Sequence, residues 1–352
     1  MSKIPTFKKV LIKKFSSKVF DFRKIILNKL LDENILPKKK NIELNEIHWY
    51  LTTDKVQIAI EKMYEVFRSK KFQNLYDNFS AQIIKDNNFG KNTRYQLIPT
   101  ARIMMPGMKT VNFHNDQLYG HGKNIINLWV PLTKAEKSNS VQIVDEKNSR
   151  SLIKLFKMKK STIHEMNLES LKKSKSMKLN YGEYLVFYGT TIHGALMNRT
   201  NETRVSFDFR MVRENDDIGV KDNSFFVKIG ERKDLSNTDS KKKRVACYVS
   251  RPKNNLHLPS QKYQQLICVQ YCKDQNLFPV LLDTELSGFD YYPVLIDMIE
   301  GTWKNYFSHL VVFSRSNFPK NKKKFNNILK KIKKSRKTLH FVLEDQIIYG
   351  RT

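Results

Sequence analysis

Apolar residues recur with a helical period in the first part of the chain. Two stretches carry them three or four positions apart, the spacing of one helix face. The first stripe is Phe22, Ile25, Ile26 and Leu30, and the second is Val56, Ile60, Met63 and Phe67. Thr53 or Asp54 is the expected N-cap of the second helix. The pattern predicts a helical region that extends to about residue 85.

From about residue 90 the period of the apolar positions changes to two. Short runs of this kind are separated by Gly, Pro, Asn or Lys: RYQLIPTARIMMPG, TVNFH, NIINLWVPLT, SVQIVDE, YLVFYGTTIHG and RVSFDFRMV. Many short strands in series are typical of a barrel or a double-sheet jelly roll. The Lys/Ser/Leu-rich insert at 150–178 leaves room for a helix. The pattern therefore predicts a β-rich barrel over about 90–215.

The third part of the chain alternates strand-like and helix-like segments. A polar stretch at 231–243 precedes it and is typical of a linker. RVACYVS, FPVLLDTE, HLVVFSRSNF and KTLHFVLED are the expected strands, and helical patterns lie between them. Such alternation indicates βαβ units around a parallel sheet. We therefore expect a first domain over 1–230 and a small, doubly wound α/β domain over 244–352.

The strongly basic composition changes this picture little. Of the 352 residues, 64 are Lys or Arg and 34 are Asp or Glu, which gives a formal net charge of +30. Nucleic acid or an anionic membrane is one explanation. A lysine-rich composition or an anionic substrate explains the charge as well, and lysine far outnumbers the arginine that base and phosphate recognition favours. A nucleic-acid partner is therefore disfavoured.

Compartment and anchoring signals are sparse. No run of about 18 apolar residues is present, so no membrane span is expected, and the basic N-terminal stretch lacks the apolar core of a secretory signal. Three cysteines, Cys247, Cys268 and Cys272, fit a reducing cytoplasm. Cys268 and Cys272 lie four positions apart on a predicted helix, where a packed pair is favoured over a metal site. The sequence does not indicate an oligomeric state.

Three residues on two predicted strands form a candidate metal site. In VNFHNDQLYGHG, His114 and Asp116 are two positions apart and share one face of an extended strand. His193 ends the run EYLVFYGTTIH. Two imidazoles and one carboxylate form the facial triad that leaves three positions of an octahedral iron open.

The strand RVSFDFRM separates an apolar face from a polar one. Val205, Phe207, Phe209 and Met211 alternate with Arg204, Ser206, Asp208 and Arg210. If the polar face lines the barrel interior, a ligand has to satisfy it. The guanidinium fork of Arg204 suits a carboxylate, and the Ser206 hydroxyl lies on the same face.

These motifs carry a family resemblance that covers roughly residues 90–215. His114-x-Asp116, His193-Gly194 and Arg204 with Ser206 resemble the iron(II)/2-oxoglutarate-dependent oxygenases, in particular the phytanoyl-CoA dioxygenase-like branch. ARIMMPG, FHNDQLYGHG, INLWVPLT and FYGTTIHGALMNRT are similar to the sporadic carbohydrate cluster oxygenases of bacterial surface-sugar genes. The resemblance implies a double-stranded β-helix, a cupin-like form of the jelly roll.

The resemblance also implies a chemistry and a set of roles. His114, Asp116 and His193 would bind Fe(II), which 2-oxoglutarate would chelate, and Arg204 with Ser206 would hold the far carboxylate of 2-oxoglutarate. O2 would take the last position, and succinate would be released as a C–H bond is oxidised. The implied substrate is a surface-polysaccharide precursor, or its lipid- or nucleotide-linked form, in the cytoplasm.

Five further side chains are weaker candidates. Arg102 meets an anionic substrate or is a surface arginine. Asn127 faces the cosubstrate or packs. His121, on a Gly-rich loop, has a loop or substrate-side role, and His164 in the insert is expected to be solvated. Arg210 is the second candidate for the carboxylate clamp, the arginine that would hold the far carboxylate of 2-oxoglutarate.

The start of the second domain resembles the resolvase-type serine recombinases. Ser250 at a strand end is followed by a Gln-rich helix, but Ser250 precedes Arg251, whereas that family places Arg two residues before Ser. Those enzymes need a DNA-binding tail after this domain, and we do not expect one in a chain that ends at Thr352. The segment is also similar to a second protein family of the sporadic carbohydrate clusters.

The strand ends of the second domain carry a candidate binding site. The expected cluster comprises Ser250, Arg251, Glu285, Ser314 and Arg315, at the edge of the sheet where the strands end. The cluster would hold a phosphate or a sugar, or would consist of ordinary polar loop residues.

Two rival functions remain open at this point. A cupin-like metal isomerase or epimerase keeps the barrel but needs no Arg204–Ser206 clamp. A nucleic-acid-binding protein built on the resolvase-like domain predicts salt-sensitive DNA binding.

Overall fold

The chain is described by a computed structural model in which two compact units are resolved. The described residues are 10–38, 41–52, 55–119, 121–158, 163–219, 226–231, 243–250, 258–259, 261–285, 292–300 and 307–350. The first unit holds those of 10–116, 122–218 and 226–231, and the second holds 117–119, 121, 219 and 243–350. Most of the expected linker at 231–243 lies outside the described residues. The domain boundaries therefore stay a prediction.

Five α-helices are described in the first unit, besides 3-10 helices at Leu44–Trp49 and Lys137–Asn139. They are α1 (Phe22–Asp32), α2 (Val56–Arg68), α3 (Lys70–Asp86), α4 (Glu146–Lys157) and α5 (Ile163–Lys173). The expected N-caps Thr53 and Asp54 lie outside the described residues. Ser69 separates α2 from α3, because its backbone is extended with a ψ of 143° and its hydroxyl accepts the Phe72 N–H at 3.3 Å. One expected helix is therefore two, and the insert holds two helices rather than one.

The strands of the first unit form two antiparallel sheets. They are β1 (Leu11–Lys14), β2 (Arg94–Gln96), β3 (Thr100–Met104), β4 (Ile126–Pro131), β5 (Val141–Val144), β6 (Ser174–Ser176), β7 (Glu183–Tyr188), β8 (His193–Ala195), β9 (Arg204–Val212) and β10 (Phe226–Lys228). The larger sheet has the order β1-β7-β4-β9-β2-β10, with β3 also paired to β9, and the smaller has the order β6-β5-β8. Two antiparallel sheets of this kind fit the expected jelly roll.

Two expectations about the first unit were wrong. The basic N-terminal stretch contains β1, which pairs with β7, in a region predicted to be helical. TVNFH is not a regular strand: within it only His114 makes a β-bridge, to His193, and a 3-10 turn starts at Asp116. Both errors have the same cause, because these segments are positioned by distant parts of the chain rather than by their own period.

Strand β9 divides the interior of the first unit. Its apolar face packs on the helices, with the Phe207 ring centroid 5.1 Å from that of Phe22 and the Phe209 centroid 5.1 Å from that of Tyr76. An apolar cluster drawn from both sheets, which includes Trp129 and Phe187, lies on the other side. The polar face of β9 therefore lines a cavity in the first unit, as the alternation predicted.

The second unit alternates strands and helices. They are β11 (Arg244–Ser250), α6 (Gln261–Asp274), β12 (Phe278–Glu285), α7 (Pro293–Glu300), β13 (His309–Val312), α8 (Lys322–Lys334), β14 (Thr338–Phe341) and β15 (Gln346–Ile348). The sheet order is β12-β11-β13-β14-β15; the first four strands are parallel and β15 is antiparallel. The doubly wound and resolvase-like assignments stay predictions.

The three cysteines belong to the interior of the second unit. All are buried, free thiols, and the Cys247 and Cys272 Sγ atoms are 3.6 Å apart in an apolar cluster that also contains Cys268. Burial raises the pKa of the Cys268 thiol. The cysteines therefore contribute to packing. No helix among the described residues is long and apolar enough to cross a membrane.

Separate expression tests the domain boundaries. If residues 231–243 form a linker, fragments 1–230 and 244–352 should each fold and unfold cooperatively in urea, because each unit has its own apolar core. Aggregation of both fragments beside a stable full chain would contradict the boundaries.

Candidate active site

His114 and His193 are held side by side by their own backbones. The His114 N–H donates to the His193 carbonyl at 2.9 Å, and the His193 N–H donates to the His114 carbonyl at 2.8 Å. The Asp116 N–H donates to the Gly189 carbonyl at 2.8 Å, just beyond the end of β7. The three side chains thus converge through a two-way backbone bridge and a turn, not through one strand face.

The three side chains place nitrogen and oxygen atoms at metal-ligand spacing. Asp116 Oδ1 lies 3.8 Å from His114 Nε2 and 3.7 Å from His193 Nε2, and all three ligand atoms lie within 4.8 Å of one another. Among the described residues this is the one such cluster of His, Cys, Asp or Glu. All three residues are buried.

Backbone carbonyls set the orientation of both imidazoles. His114 Nδ1 is 2.8 Å from the Asn112 carbonyl and His193 Nδ1 is 3.0 Å from the Thr191 carbonyl. A carbonyl accepts only, so each Nδ1 carries the proton and each Nε2 carries the lone pair that faces Asp116. A backbone carbonyl on the far nitrogen is the usual partner of a metal-binding histidine.

Both imidazoles are neutral at pH 7. Burial, together with the neighbouring His193, lowers the pKa of His114 to about 3. Burial also lowers the pKa of His193. Neutral imidazoles and an ionised carboxylate are the protonation states that a divalent cation needs, so the donor set fits Fe(II).

Acid is expected to destabilise the metal-free protein. The pKa of His114 is about 3 in the folded chain and near 6.5 when unfolded, so its contribution is present above pH 6.5 and is lost as the pH falls towards 3. At pH 5 the loss should be about 2 kcal/mol relative to pH 8. Urea unfolding of EDTA-treated protein at both pH values measures it. His114→Asn is the control, and an unchanged pH dependence in that variant would contradict the assignment.

Arg204 is a buried cation in the same cavity. Its Nη1 donates to Ser206 Oγ at 2.6 Å, its Nε to the Asn139 carbonyl at 3.1 Å and its Nη2 to Thr110 Oγ1 at 3.2 Å. Its guanidinium lies 5.7 Å from the centroid of the Trp129 ring. Among the described residues none of the ion pairs involves Arg204. Burial, then repulsion from Arg102, lowers its pKa to about 9, which leaves it charged at pH 7.

A chain of ion pairs fills the other side of the cavity. Arg210 Nε is 2.9 Å from Asp116 Oδ2, its Nη1 is 3.6 Å from Asp208 Oδ2, and Arg102 Nε is 2.9 Å from Asp208 Oδ1. Arg102 is therefore neither on the surface nor without a counter-charge. Arg210 already contacts two carboxylates, which makes it a poor second candidate for the clamp.

The cavity brings these groups together at one place. Its empty volume is about 460 Å³ with its open mouth included. The lining includes His114, His193, Asn127, Arg102, Arg204, Asp208 and Arg210. Asn127 Oδ1 is buried and has no hydrogen-bond donor among the described residues, so a bound group could satisfy it.

Comparison with known proteins finds one matching family for this region. Residues 38–206 match the phytanoyl-CoA dioxygenase (PhyH) family. The match covers just under half of the chain and includes His114, Asp116, His193, Arg204 and Ser206. Fe(II) and 2-oxoglutarate are the cofactors that the PhyH match and the His–Asp–His cluster support. The match supports an oxygenase-type enzyme.

One curated relative shares part of the chain. The streptomycin biosynthesis protein StrG of Streptomyces griseus is 32% identical over 117 residues, which are 33% of this chain. The matching region spans 44% of the length of that relative.

Solved structures are similar at a lower level. The non-heme alpha-ketoglutarate-dependent carbocyclase SnoK from nogalamycin biosynthesis is 12% identical, with a TM-score of 0.39 over 62% of this chain and 85% of that one. HygX from Streptomyces hygroscopicus, solved with nickel and 2-oxoglutarate, is 10% identical, with a TM-score of 0.35 over 58% and 83%. Scores this low carry no weight for function.

The remaining candidates belong to other parts of the chain. His121 is buried, belongs to the second unit and makes a β-bridge to Gly219. His164 is on α5, and its side chain lies outside the described set. Ser250 Oγ donates to the Asn317 carbonyl at 2.6 Å.

The candidate site of the second unit is only partly described. Arg251 and the Glu285 side chain are outside the described set. Ser314 Oγ donates to Glu344 at 2.6 Å, and the Arg315 guanidinium lies 4.6 Å from the centroid of the Phe325 ring. Ser314 and Arg315 therefore make contacts within the second unit. The Ser250–Arg251 site stays a prediction.

Sequence reasoning gave no role to several groups that shape the cavity. Asp208 was visible on the polar face of β9, and its place between two arginines on the same face could have marked it as their counter-charge. Asn139 acts through its backbone carbonyl and Thr110 through a loop hydroxyl, and neither leaves a sequence signal.

Gly194 is a sensitive point in the support of the metal site. A Cβ added there would lie 2.9 Å from the Phe113 backbone, next to His114. Gly194→Ala should cost about 1–3 kcal/mol of stability, because backbone has to move, and it should weaken Co(II) binding as His114 shifts. Urea unfolding and Co(II) titration measure both effects. Wild-type values for both would contradict this packing argument.

Proposed function

We propose that the first unit is an Fe(II)/2-oxoglutarate-dependent oxygenase that oxidises a C–H bond of a surface-carbohydrate precursor. One observation carries the proposal: a single cavity is lined by the two histidines of the buried His–Asp–His cluster and by a buried arginine that has no ion pair with a carboxylate among the described residues. The first group suits a metal with open positions. The second suits an anionic cosubstrate.

The residues of the cavity divide into those that hold the cofactors and those that shape the space. His114, Asp116 and His193 would hold Fe(II). Arg204 and Ser206 would bind the far carboxylate of 2-oxoglutarate. This contact would select a dicarboxylate of that length and orient it in the cavity. When bound, the iron and 2-oxoglutarate supply the oxidation of a C–H bond by O2, with release of succinate and CO2.

The apolar part of the lining would control water. Trp129, Phe187 and Val141 line the same cavity as Arg204. Their rings and methyl groups lower the local polarity, which strengthens the contact between the guanidinium and a carboxylate. Asn127 would offer its amide to the cosubstrate or substrate.

The carbohydrate assignment rests on the motif resemblance and on the polar side of the cavity. Arg102 and Asp208 together present donors and acceptors there, which suits a hydroxylated substrate. The similarity to StrG, a streptomycin biosynthesis protein, favours a small-molecule substrate over nucleic acid. The proposal includes sugars linked to a nucleotide and sugars linked to a lipid.

The cupin-like isomerase is the weaker alternative for this site. Such an enzyme needs no dicarboxylate, so it gives no reason for Arg204 to be buried among neutral partners. A nucleic-acid-binding function rests on the net charge and on the resolvase-like resemblance of the second unit, which stays a prediction.

Substrate-dependent oxygen uptake tests the proposed substrate class. Nucleotide-linked, lipid-linked and free sugars are incubated with the Fe(II)-loaded protein and 2-oxoglutarate, and product mass is measured. One of these sugars should accelerate O2 uptake and gain an oxygen atom or lose two hydrogen atoms. Absence of any acceleration across the panel, with background succinate formation intact, would remove the carbohydrate assignment and leave the oxygenase.

A further inference from the structure

Arg210 binds one of the two carboxylate oxygens of Asp116, a candidate metal ligand. Asp116 is completely buried and presents its two oxygens to different partners. Oδ1 lies 3.7–3.8 Å from the two imidazole Nε2 atoms, whereas Oδ2 lies 2.9 Å from Arg210 Nε. A charge-assisted hydrogen bond of this length commits Oδ2 to the guanidinium.

The guanidinium of Arg210 is itself held in place. Its Nη1 donates to Gln96 Oε1 at 3.2 Å, and the same Nη1 lies 3.6 Å from Asp208 Oδ2. The Gln96 amide cannot turn over freely, because its Nε2 donates to the Ile98 carbonyl at 2.7 Å. Arg210 lies on β9, where its backbone pairs with Asn127 of β4. The fork therefore approaches Asp116 from one fixed direction.

The number of open metal positions depends on how many oxygens Asp116 supplies. Two imidazoles and one carboxylate oxygen leave three positions on an octahedral ion, enough for a chelating 2-oxoacid and O2. A carboxylate that binds through both oxygens would leave two, which the 2-oxoacid alone would fill.

We propose that Arg210 restricts Asp116 to a single metal-binding oxygen and so keeps the third open position. This inference rests on the proposed function. Arg210 touches neither cosubstrate nor substrate in this role, so it is a positioning residue. The role differs from that of Arg204, which would act on the far end of 2-oxoglutarate.

The charge on Arg210 predicts an effect on metal binding opposite to that of a lost ligand. A cation beside Asp116 repels a divalent ion. Arg210→Gln should therefore bind Co(II) at least as tightly as wild type. It should bind a chelating anion less well, because the second oxygen of Asp116 reduces the positive charge that the metal presents to the anion and leaves only one pair of positions for the chelate.

Oxalate separates this role from that of the clamp. Oxalate chelates a metal as a 2-oxoacid does but has no distal arm for Arg204. Calorimetric titrations of oxalate and of 2-oxoglutarate into the Co(II)-loaded full chain compare Arg210→Gln with Arg204→Gln. Arg213→Gln is the matched control, since Arg213 pairs with Asp216 at 2.7 Å and does not line the cavity.

The expected pattern is specific to each variant. Arg210→Gln should lose about tenfold or more in oxalate affinity, which corresponds to about 1.4 kcal/mol or more. Arg204→Gln should lose 2-oxoglutarate affinity but keep oxalate affinity, and Arg213→Gln should match wild type. The visible Co(II) spectrum of Arg210→Gln should differ from wild type before any anion is added, because a second oxygen of Asp116 replaces a water molecule among the ligands.

Two results would overturn the inference while the proposed function stands. One is an oxalate affinity in Arg210→Gln that equals wild type. The other is a fall of about tenfold or more in Co(II) affinity, which would show that Arg210 orients Asp116 as a ligand. A wild-type protein that binds neither Co(II) nor 2-oxoglutarate would instead remove the proposed function itself.

Arg210→Lys covers the case in which the glutamine variant does not fold. An ammonium keeps the charge but cannot reproduce the fork. We expect an intermediate loss of oxalate affinity, about threefold or more. Wild-type oxalate affinity in Arg210→Lys would overturn the requirement for the fork.

Discussion

His193→Ala is expected to abolish stoichiometric Fe(II) binding while the fold persists. The substitution removes one of three ligands, and two ligands do not make a facial triad. The loss should exceed about 100-fold in affinity, more than the loss of a partner of a ligand costs. His114→Ala and Asp116→Ala should have the same effect. Anaerobic equilibrium dialysis with Fe(II) measures binding, and circular dichroism with urea unfolding checks the fold.

A matched histidine strengthens the His193 experiment. His309 is also buried at the start of a strand, but it belongs to the second unit and lies outside the metal cluster. His309→Ala should retain one Fe(II) per chain. If His193→Ala retained iron, or turned over at the wild-type rate, the assignment of the triad would be wrong.

Arg204→Ala is expected to raise the 2-oxoglutarate requirement steeply with iron binding intact. Removing one partner of a buried, hydrogen-bonded charge pair costs about 2–5 kcal/mol, or about 30- to several-thousand-fold in affinity. Arg204→Lys should recover part of the loss, because an ammonium cannot form the fork. Ser206→Ala should cost less, since it removes a hydroxyl and no charge. Calorimetric titration of 2-oxoglutarate into metal-loaded protein gives the affinities.

Variants of Arg210 test whether Arg204 is the arginine that forms the clamp. Arg210 lies on the same face of β9, six residues further on. If Arg210→Ala lost 2-oxoglutarate but kept oxalate, while Arg204→Ala kept both, the clamp would be at Arg210. If neither substitution mattered and the wild type formed no succinate, the oxygenase assignment would be wrong and the cupin-like isomerase would become the better hypothesis.

Local periodicity was enough to predict β9 and the first two strands of the second unit. The alternation in RVSFDFRMV placed Phe207 and Phe209 against the helices, and Arg204 towards the cavity. RVACYVS and FPVLLDTE coincide with β11 and β12. Such segments are predictable because one face is buried and the side chains alternate.

The convergence of the metal cluster could not be derived from local pattern. The spacing of His114 and Asp116 was read as one strand face, whereas the structure uses a bridge to His193 and a turn that begins at Asp116. Gly189 and Gly194 pack closely against this segment, and such a tertiary contact leaves no periodic pattern in the sequence. The Arg210–Asp116 contact is equally non-local, because it joins residues 94 positions apart.

The most direct test of the account is an anaerobic titration of the full chain with Fe(II) and then 2-oxoglutarate, followed by one pulse of O2 and a count of succinate. The account predicts one Fe(II) and one 2-oxoglutarate per chain, and succinate that forms in wild type but not in His193→Ala. Stoichiometric iron without 2-oxoglutarate binding, and with no succinate above the His193→Ala background, would contradict it.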